Sequence, residues 1–140
     1  MRKFTLAFLL LGCAFMTASA QLEGFWVAVD DQDGLEKSVV EIYEHDGKYF
    51  GRVHRLLPNA TITHCTGCEG DEKDKEITGM VIIKDLRKTS KGGRGGTILD
   101  PASGKWYSCY LELIDENKVK MRGYLGMPTF GRSQFWYRKK

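Results

Sequence analysis

The sequence predicts an all-β fold, a small antiparallel up-and-down barrel of about eight strands, and three observations indicate it. Apolar residues recur with a period of two in short runs, which is the spacing of half-buried strands. The runs are separated by Gly, Asp, Asn and Pro, the residues that favour tight turns. No segment shows sustained helical periodicity. Closing such strands into a barrel leaves no strand edge unpaired.

Eight segments of the chain carry this alternating pattern. They are 22–30, 38–45, 48–57, 78–86, 96–100, 105–114, 118–125 and 132–138. Alternation places Tyr107 and Cys109 on one face of the sixth segment and Met121 on the matching face of the seventh. We therefore expect an apolar interior with tyrosines at its margins.

The connections between the segments have turn chemistry of their own. Asp46-Gly47 is suited to the positive φ angles of a two-residue hairpin, and 100–104 (DPASG) is a turn sequence. Two longer polar segments interrupt the strands: 58–77 contains two cysteines, and 87–95 is basic and rich in glycine. We interpret both as solvated loops that emerge at opposite ends of the barrel.

The first twenty residues have the pattern of a cleavable secretion signal. Arg2 and Lys3 precede an apolar run, and Ala18-Ser19-Ala20 matches a small-x-small cleavage site. The apolar run is shorter than the roughly 20 residues of a membrane-spanning helix. The mature protein is therefore expected to be periplasmic or secreted and to contain one domain, residues 21–140.

A lipid anchor is the alternative for the N-terminal segment. Leu10-Leu11-Gly12-Cys13 loosely resembles a lipoprotein box, in which cleavage would leave Cys13 as the lipid-bearing residue. Leu11 is a poor residue immediately before the glycine of such a box. We therefore favour cleavage after Ala20.

Charge excludes some classes of partner. The full chain has 21 basic and 18 acidic residues, and removal of Arg2 and Lys3 leaves 19 and 18, a net charge of +1. A domain this close to neutrality has no large field to attract nucleic acid or an anionic membrane. Function must therefore be sought in local sites.

Several motifs, in order along the mature chain, together resemble one protein family. They are Gly24-Phe25-Trp26, residues 39–44 with Asp46-Gly47, Cys65-Thr66-Gly67-Cys68, residues 96–101, residues 104–107, residues 122–126, and residues 130–132 with 136–138. This set is similar to the exported bacterial family called domain of unknown function 2147. The resemblance implies a lipocalin-like β-barrel without an established reaction.

The two ends of the mature chain also resemble lipocalins proper. In lipocalins a tryptophan of an N-terminal Gly-x-Trp stacks with an arginine of the last strand and closes the base of the barrel. Trp26 and Arg138 stand at the corresponding positions. The resemblance implies a structural role for both residues, with a guanidinium lying over an indole ring.

Three cysteines remain after the expected cleavage, and an oxidising compartment favours a disulfide. Cys65 and Cys68 are the natural pair, although Cys109 is an alternative partner for either. A thiol-disulfide enzyme would need a thiolate stabilised by a helix N-terminus or nearby cations, whereas the acidic segment 69–72 follows the pair. Redox catalysis is therefore the less favoured interpretation.

Metal binding and hydrolysis have weaker support in the sequence. A zinc site would need Cys65, Cys68 and His64 with Cys109 or His54, but the chain has only one Cys-x-x-Cys pair. No nucleophile elbow, His-Glu-x-x-His or phosphate-cradling loop is present. We expect neither a metal nor a cofactor, and no enzymatic activity.

Binding of a small ligand inside the barrel is the hypothesis that remains. An eight-stranded barrel encloses one small molecule or is filled by side chains. Tyr49, Tyr107, Met121 and Phe135 are the candidate lining residues, with plain core packing as the alternative for all four. The sequence thus predicts a binding protein for a small apolar or amphipathic molecule, with a solid-barrel structural or envelope interaction protein as the alternative.

Overall fold

The computed structural model describes residues 12–13 and 21–140, and the second segment forms a barrel of eight strands. The predicted signal, residues 1–20, lies outside the described residues except for Gly12 and Cys13. The strands are β1 (Gly24–Val29), β2 (Glu36–His45), β3 (Lys48–Leu56), β4 (Val81–Thr89), β5 (Gly92–Asp100), β6 (Lys105–Asp115), β7 (Lys118–Tyr124) and β8 (Gly131–Arg138). A short 3-10 turn, Gly70–Glu72, lies between β3 and β4.

Every strand pairs antiparallel with its neighbour in sequence, and β1 pairs with β8 to close the barrel. The closing register aligns Trp26 with Arg138 and Ala28 with Trp136. The prediction of an all-β, up-and-down barrel of eight strands is therefore confirmed. Within the described part of the chain, no helix has the length and apolar character needed to cross a membrane.

The glycine-rich segment 87–95 is not the solvated loop that we expected. Its residues extend β4 and begin β5, with Arg87 opposite Arg94 and Thr89 opposite Gly92. A Cβ on Gly92 would lie 2.2 Å from the carbonyl oxygen of Leu111, so glycine is needed there for the close approach of β6. Composition alone did not distinguish glycines that permit strand packing from glycines that form a loop.

The barrel has two different ends. At the closed end lie residues 21–23 and the tight turns that join β2 to β3, β4 to β5 and β6 to β7. At the open end lie the connections 30–35, 57–80, 101–104 and 125–130. Because successive strands run in opposite directions, the long connection between β3 and β4 lies at the end opposite the β4–β5 turn.

Side chains fill the half of the barrel next to the closed end. Ile42, Ile83, Leu86, Leu111 and Val119 are almost completely buried there. The glycines of this half make room for them, since a Cβ on Gly51 would lie 3.0 Å from side-chain atoms of Ile42 and Ile83. This half is a close-packed core.

Arg138 closes the base of the barrel together with Trp26. Its Cζ lies 4.3 Å from the centroid of the fully buried Trp26 ring, whose Nε1 donates a hydrogen bond to the carbonyl of Leu22 at 2.9 Å. The guanidinium also donates to three backbone carbonyls, those of Gln21, Glu23 and Glu116, at 2.7–2.9 Å. Gly24 beside it has a φ of +130°, a conformation that favours glycine, and a Cβ there would also lie 2.8 Å from Arg138 Nη1.

Candidate functional site

A cavity of about 610 Å³ occupies the other half of the barrel and opens between the loops of the open end. Small-molecule sites commonly have volumes of roughly 300–1,000 Å³. Its wall is contributed by β1 to β8, and its mouth by all four connections of the open end. The barrel is therefore hollow above its packed half.

The inner wall of the cavity is mainly apolar. Val40, Val53, Ile82, Ile98 and Met121 face it from five different strands. All of them are buried, and the buried Trp136 adds an indole ring. An apolar wall of this kind favours an apolar molecule or the apolar part of an amphipathic one.

Small residues leave this half of the barrel empty. Gly123 lines the cavity, and a Cβ added there would meet only ordinary contacts, 3.6 Å from Ile98 Cγ2 and 3.8 Å from Tyr107 Cβ. Ala28 lines the cavity on β1. In the packed half, neighbouring side chains occupy the space beside the glycines, whereas Gly123 borders open space.

A polar strip descends one wall of the cavity along β8. Arg132 at the mouth donates two hydrogen bonds to the Asp31 carboxylate, from Nε at 3.0 Å and from Nη2 at 2.6 Å. Gln134 Nε2 donates to the same carboxylate at 3.3 Å, and Trp136 Nε1 donates to Gln134 Oε1 at 3.0 Å. The strip offers a graded surface, polar at the mouth and aromatic below.

The ion pair at the mouth shifts the pKa values of both of its members. The hydrogen bonds from Arg132 hold the pKa of Asp31 below its usual value, and the one from Gln134 acts in the same direction. The carboxylate of Asp31 raises the pKa of Arg132, with Asp30 and Asp100 adding to the effect. Both groups are therefore charged at neutral pH.

The connection between β3 and β4 covers part of the mouth. Cys65 and Cys68 form a disulfide within it, with their Cα atoms 5.3 Å apart. Both cysteines are buried, as are Ile77 and Met80 of the same connection. The expectation of a solvated loop over 58–77 is therefore wrong for its buried positions. Their side chains pack against the open end of the barrel, which removes their apolar surface from water.

The disulfide turn rests on the turn between β5 and β6. A Cβ on Gly104, where φ is +72°, would lie 2.0 Å from the carbonyl oxygen of Gly67. Cys65 Sγ lies 3.5 Å from the carbonyl oxygen of Pro101. The disulfide therefore holds the covering connection against a neighbouring wall of the barrel.

Apolar side chains are exposed around the mouth. Leu125, Met127 and Phe130, all in the connection between β7 and β8, have exposed fractions of 61%, 59% and 70%. Leu125 and Phe130 also line the cavity. The apolar surface thus continues from the interior to the rim.

Comparison with known proteins identifies the family. Residues 24–138 match the family described as an uncharacterized protein conserved in bacteria, DUF2147. The chain belongs to the DUF2147 family. Comparison with curated protein sequences gave no match.

A solved structure supports the fold of this DUF2147 member. It is described as "Protein HP1028 from the human pathogen Helicobacter pylori belongs to the lipocalin family". The TM-score is 0.76 at 18% sequence identity, covering 86% of this chain and 84% of that one. The chain is therefore similar to a lipocalin in fold.

The four residues that we expected to line the cavity divide into two pairs. Tyr107 and Met121 line it. Tyr49 is buried, but it lies opposite Leu86 in the packed half, outside the cavity lining. Phe135 is 40% exposed on the outer face, with Lys118 Nζ 4.7 Å from its ring centroid.

The alternation of side chains along β8 explains why Phe135 does not line the cavity as we expected. Arg138 faces inward over Trp26, so alternation along β8 turns Trp136, Gln134 and Arg132 inward and Phe135 outward. The three inward residues are the ones that sequence reasoning missed. The position assigned to Arg138 carried the signal that would have found them.

The remaining thiol and the histidines do not assemble a second site. Cys109 is fully buried in β6, and desolvation raises the pKa of its thiol to about 12. His54 packs on the outside against Phe25, with ring centroids 4.9 Å apart. In the parts of the chain that the structure describes, no three His, Cys, Asp or Glu side chains are grouped so as to hold a metal ion.

Proposed function

We propose that this protein binds a small apolar or amphipathic molecule in the cavity at the open end of its barrel. The observation that carries the proposal is the combination of a cavity of about 610 Å³ with a wall that is mainly apolar. With the expected removal of residues 1–20, binding would take place in the periplasm or outside the cell.

The shape of the barrel supports this role. The base is closed by Trp26 and Arg138, so a ligand can enter only from the mouth. Leu125 and Phe130 extend apolar surface to the rim, where an incoming apolar group would first leave water. Eight-stranded barrels of lipocalin type have the diameter to hold one small ligand.

The alternatives receive less support. A purely structural barrel needs no interior space, yet half of this one is hollow. A thiol-disulfide enzyme needs an accessible sulfur, yet Cys65 and Cys68 are both buried. An envelope interaction protein would use the exposed apolar residues of the rim to contact a partner, but such contact does not account for the apolar wall inside the barrel.

Fluorescence of a neutral apolar probe, N-phenyl-1-naphthylamine, tests the proposal directly. We expect saturable enhancement with one probe per chain. In the variant Gly123→Leu, the added side chain extends into the cavity without steric conflict at Cβ. We expect it to weaken probe binding severalfold, because it fills part of the cavity beside Ile98 and Tyr107 and leaves the probe less room.

Thr97→Leu is the matched control for this variant. It adds the same side chain to the exposed face of β5, outside the cavity lining. We expect its probe affinity to equal that of the unmodified protein. Absence of saturable binding, or equal weakening by both variants, would show that the probe does not bind in the cavity and would contradict the proposal.

A further inference from the structure

The charges around the mouth indicate which polar group a bound amphiphile carries. Among the residues that line the cavity, five are charged: Asp30, Asp31, Lys37, Asp100 and Arg132. Three are acidic and two are basic. The polar group that the mouth favours therefore depends on which of these charges are already paired with an opposite charge.

Both basic side chains are engaged. Lys37 Nζ lies 2.7 Å from Asp33 Oδ2 and also donates to the carbonyl of Asn59 at 3.2 Å. Arg132 is held by Asp31 through two hydrogen bonds. An anionic group arriving at the mouth would have to compete with a carboxylate that is already in place at each cation.

Two carboxylates at the mouth have no such cation. Asp30 accepts a hydrogen bond from the backbone N–H of Gln32, and Asp100 accepts from the N–H of Ala102 and from Ser103 Oγ. In the described segment 21–140, neither forms an ion pair with a basic side chain. Both line the cavity, so their negative charge lies at the mouth, where the nearby Arg132 is already held by Asp31.

We propose that the cavity selects amphiphiles whose polar end is cationic, with an alkylammonium group as the simplest example, and rejects those whose polar end is anionic. The apolar chain would lie against Val40, Ile98 and Met121, and the ammonium group would lie at the rim near Asp30 and Asp100. This inference rests on the proposed function, because it assigns the ligand class of the same cavity.

The interior supports the same orientation. The inner wall offers no charged side chain below the rim, so a charged group must stay at the mouth. An ammonium group at the mouth meets two carboxylates that form no ion pair, whereas a carboxylate group there meets Asp30 and Asp100 as like charges. Ammonium and carboxylate groups therefore differ most in binding free energy at the mouth, where the polar end of the ligand must lie.

Three probes of equal chain length test the inference by displacement of N-phenyl-1-naphthylamine at pH 7 and low ionic strength. They are dodecylammonium, dodecanol and dodecanoate, each used below its aggregation concentration. We expect dodecylammonium to bind about fivefold or more tightly than dodecanoate, with dodecanol between them, because the two carboxylates act on the polar group through a largely aqueous mouth. High salt should reduce this ratio.

A pair of charge variants locates the effect. In Asp30→Asn/Asp100→Asn, the amide oxygens keep the acceptors for the backbone N–H groups of Gln32 and Ala102. We expect the ratio of dodecylammonium to dodecanoate affinity to fall to less than half its original value. Asp115→Asn/Glu116→Gln is the control, because Asp115 accepts from the N–H of Asn117 as Asp30 does from Gln32, but at the closed end. That control removes the same charge and should leave the ratio unchanged.

The outcomes separate this inference from the proposed function. Equal affinity for all three probes, tighter binding of dodecanoate, or a ratio that falls equally in both double variants would overturn the charge selection while leaving the apolar cavity intact. Failure of all three probes to displace a bound naphthylamine would also overturn the charge selection, whereas absence of saturable naphthylamine binding would remove the proposed function itself.

Discussion

The two halves of the barrel are built from the same eight strands but differ in what fills them. In the half next to the closed end, Ile42 and Ile83 are buried beside Gly51, and Leu86 is buried beside Gly93. In the half next to the open end, Gly123 and Ala28 leave about 610 Å³ unfilled. The difference arises from where small residues meet large ones across the barrel.

This contrast separates two tasks along the barrel axis. The packed half and its Trp26–Arg138 closure supply contacts that stabilise the fold independently of any ligand. The open half leaves apolar wall exposed to the cavity, which binding would bury. Substitutions in the two halves should therefore differ in their effects on stability and on binding.

Loss of the closing tryptophan should have the largest effect. Trp26→Ala removes a fully buried indole, its hydrogen bond to Leu22 and the ring under Arg138. We expect the free energy of unfolding to fall by about 3 to 5 kcal/mol. Urea unfolding measures this, with Phe25→Ala as the control: Phe25 is 38% exposed and should cost less than about 1 kcal/mol. Equal losses in the two variants would contradict a special role for the closed end.

Loss of the disulfide should have the next largest effect and should act at the open end. Replacing Cys65 and Cys68 by serine frees a very short loop, for which chain entropy gives about 2 kcal/mol. Urea unfolding with and without reductant provides an internal control, because reductant should lower the stability of the unmodified protein but not of the variant. A variant as stable as the oxidised protein would show that packing alone holds the covering connection.

Two glycine-to-alanine substitutions compare the halves directly, because only the one in the packed half should lower the free energy of unfolding. Gly51→Ala places a Cβ 3.0 Å from Ile42 and Ile83. The cost of overpacking exceeds the gain from replacing a strand glycine, so we expect the free energy of unfolding to fall by about 1 kcal/mol. Gly123→Ala makes only contacts of 3.6 Å or more, and we expect it to be neutral or to stabilise by about 0.5 kcal/mol. Urea unfolding of both variants decides, and losses of equal size would contradict the distinction between a filled half and an empty half.

The sequence predicted the barrel well because strand periodicity and turn residues are local signals. Asp46-Gly47 joins β2 to β3 as a tight turn, and six of the eight strands lie within two residues of their predicted bounds at both ends. The prediction of a loop over 87–95 failed because Gly92 is required by the close approach of Leu111, a residue distant in sequence. Local composition does not encode such contacts.

The candidate site was less predictable, because a cavity depends on volumes summed across strands. Tyr107 and Met121 were found from alternation, but the inward position of Trp136 required the register of β8 relative to Arg138. Asp31 and Arg132 pair although they are 101 residues apart in the sequence. Pairs separated this far become visible only when the barrel closes.

The ion pair at the mouth should contribute least to stability, and its contribution should depend on pH. Hydrogen bonds from Arg132 lower the pKa of Asp31 in the folded state, so the stabilisation is present above the unfolded-state pKa of about 3.9 and is lost as pH falls through the lower folded-state pKa. Because the pair is solvent-exposed at the rim, we expect Asp31→Asn to cost less than about 1 kcal/mol at pH 7. Urea unfolding at pH 7 and in acid should show the difference between the two proteins shrinking as pH falls. A difference that grows in acid would mean that Asp31 is stabilised in its protonated form, and the mouth would then lack the fixed carboxylate that occupies Arg132.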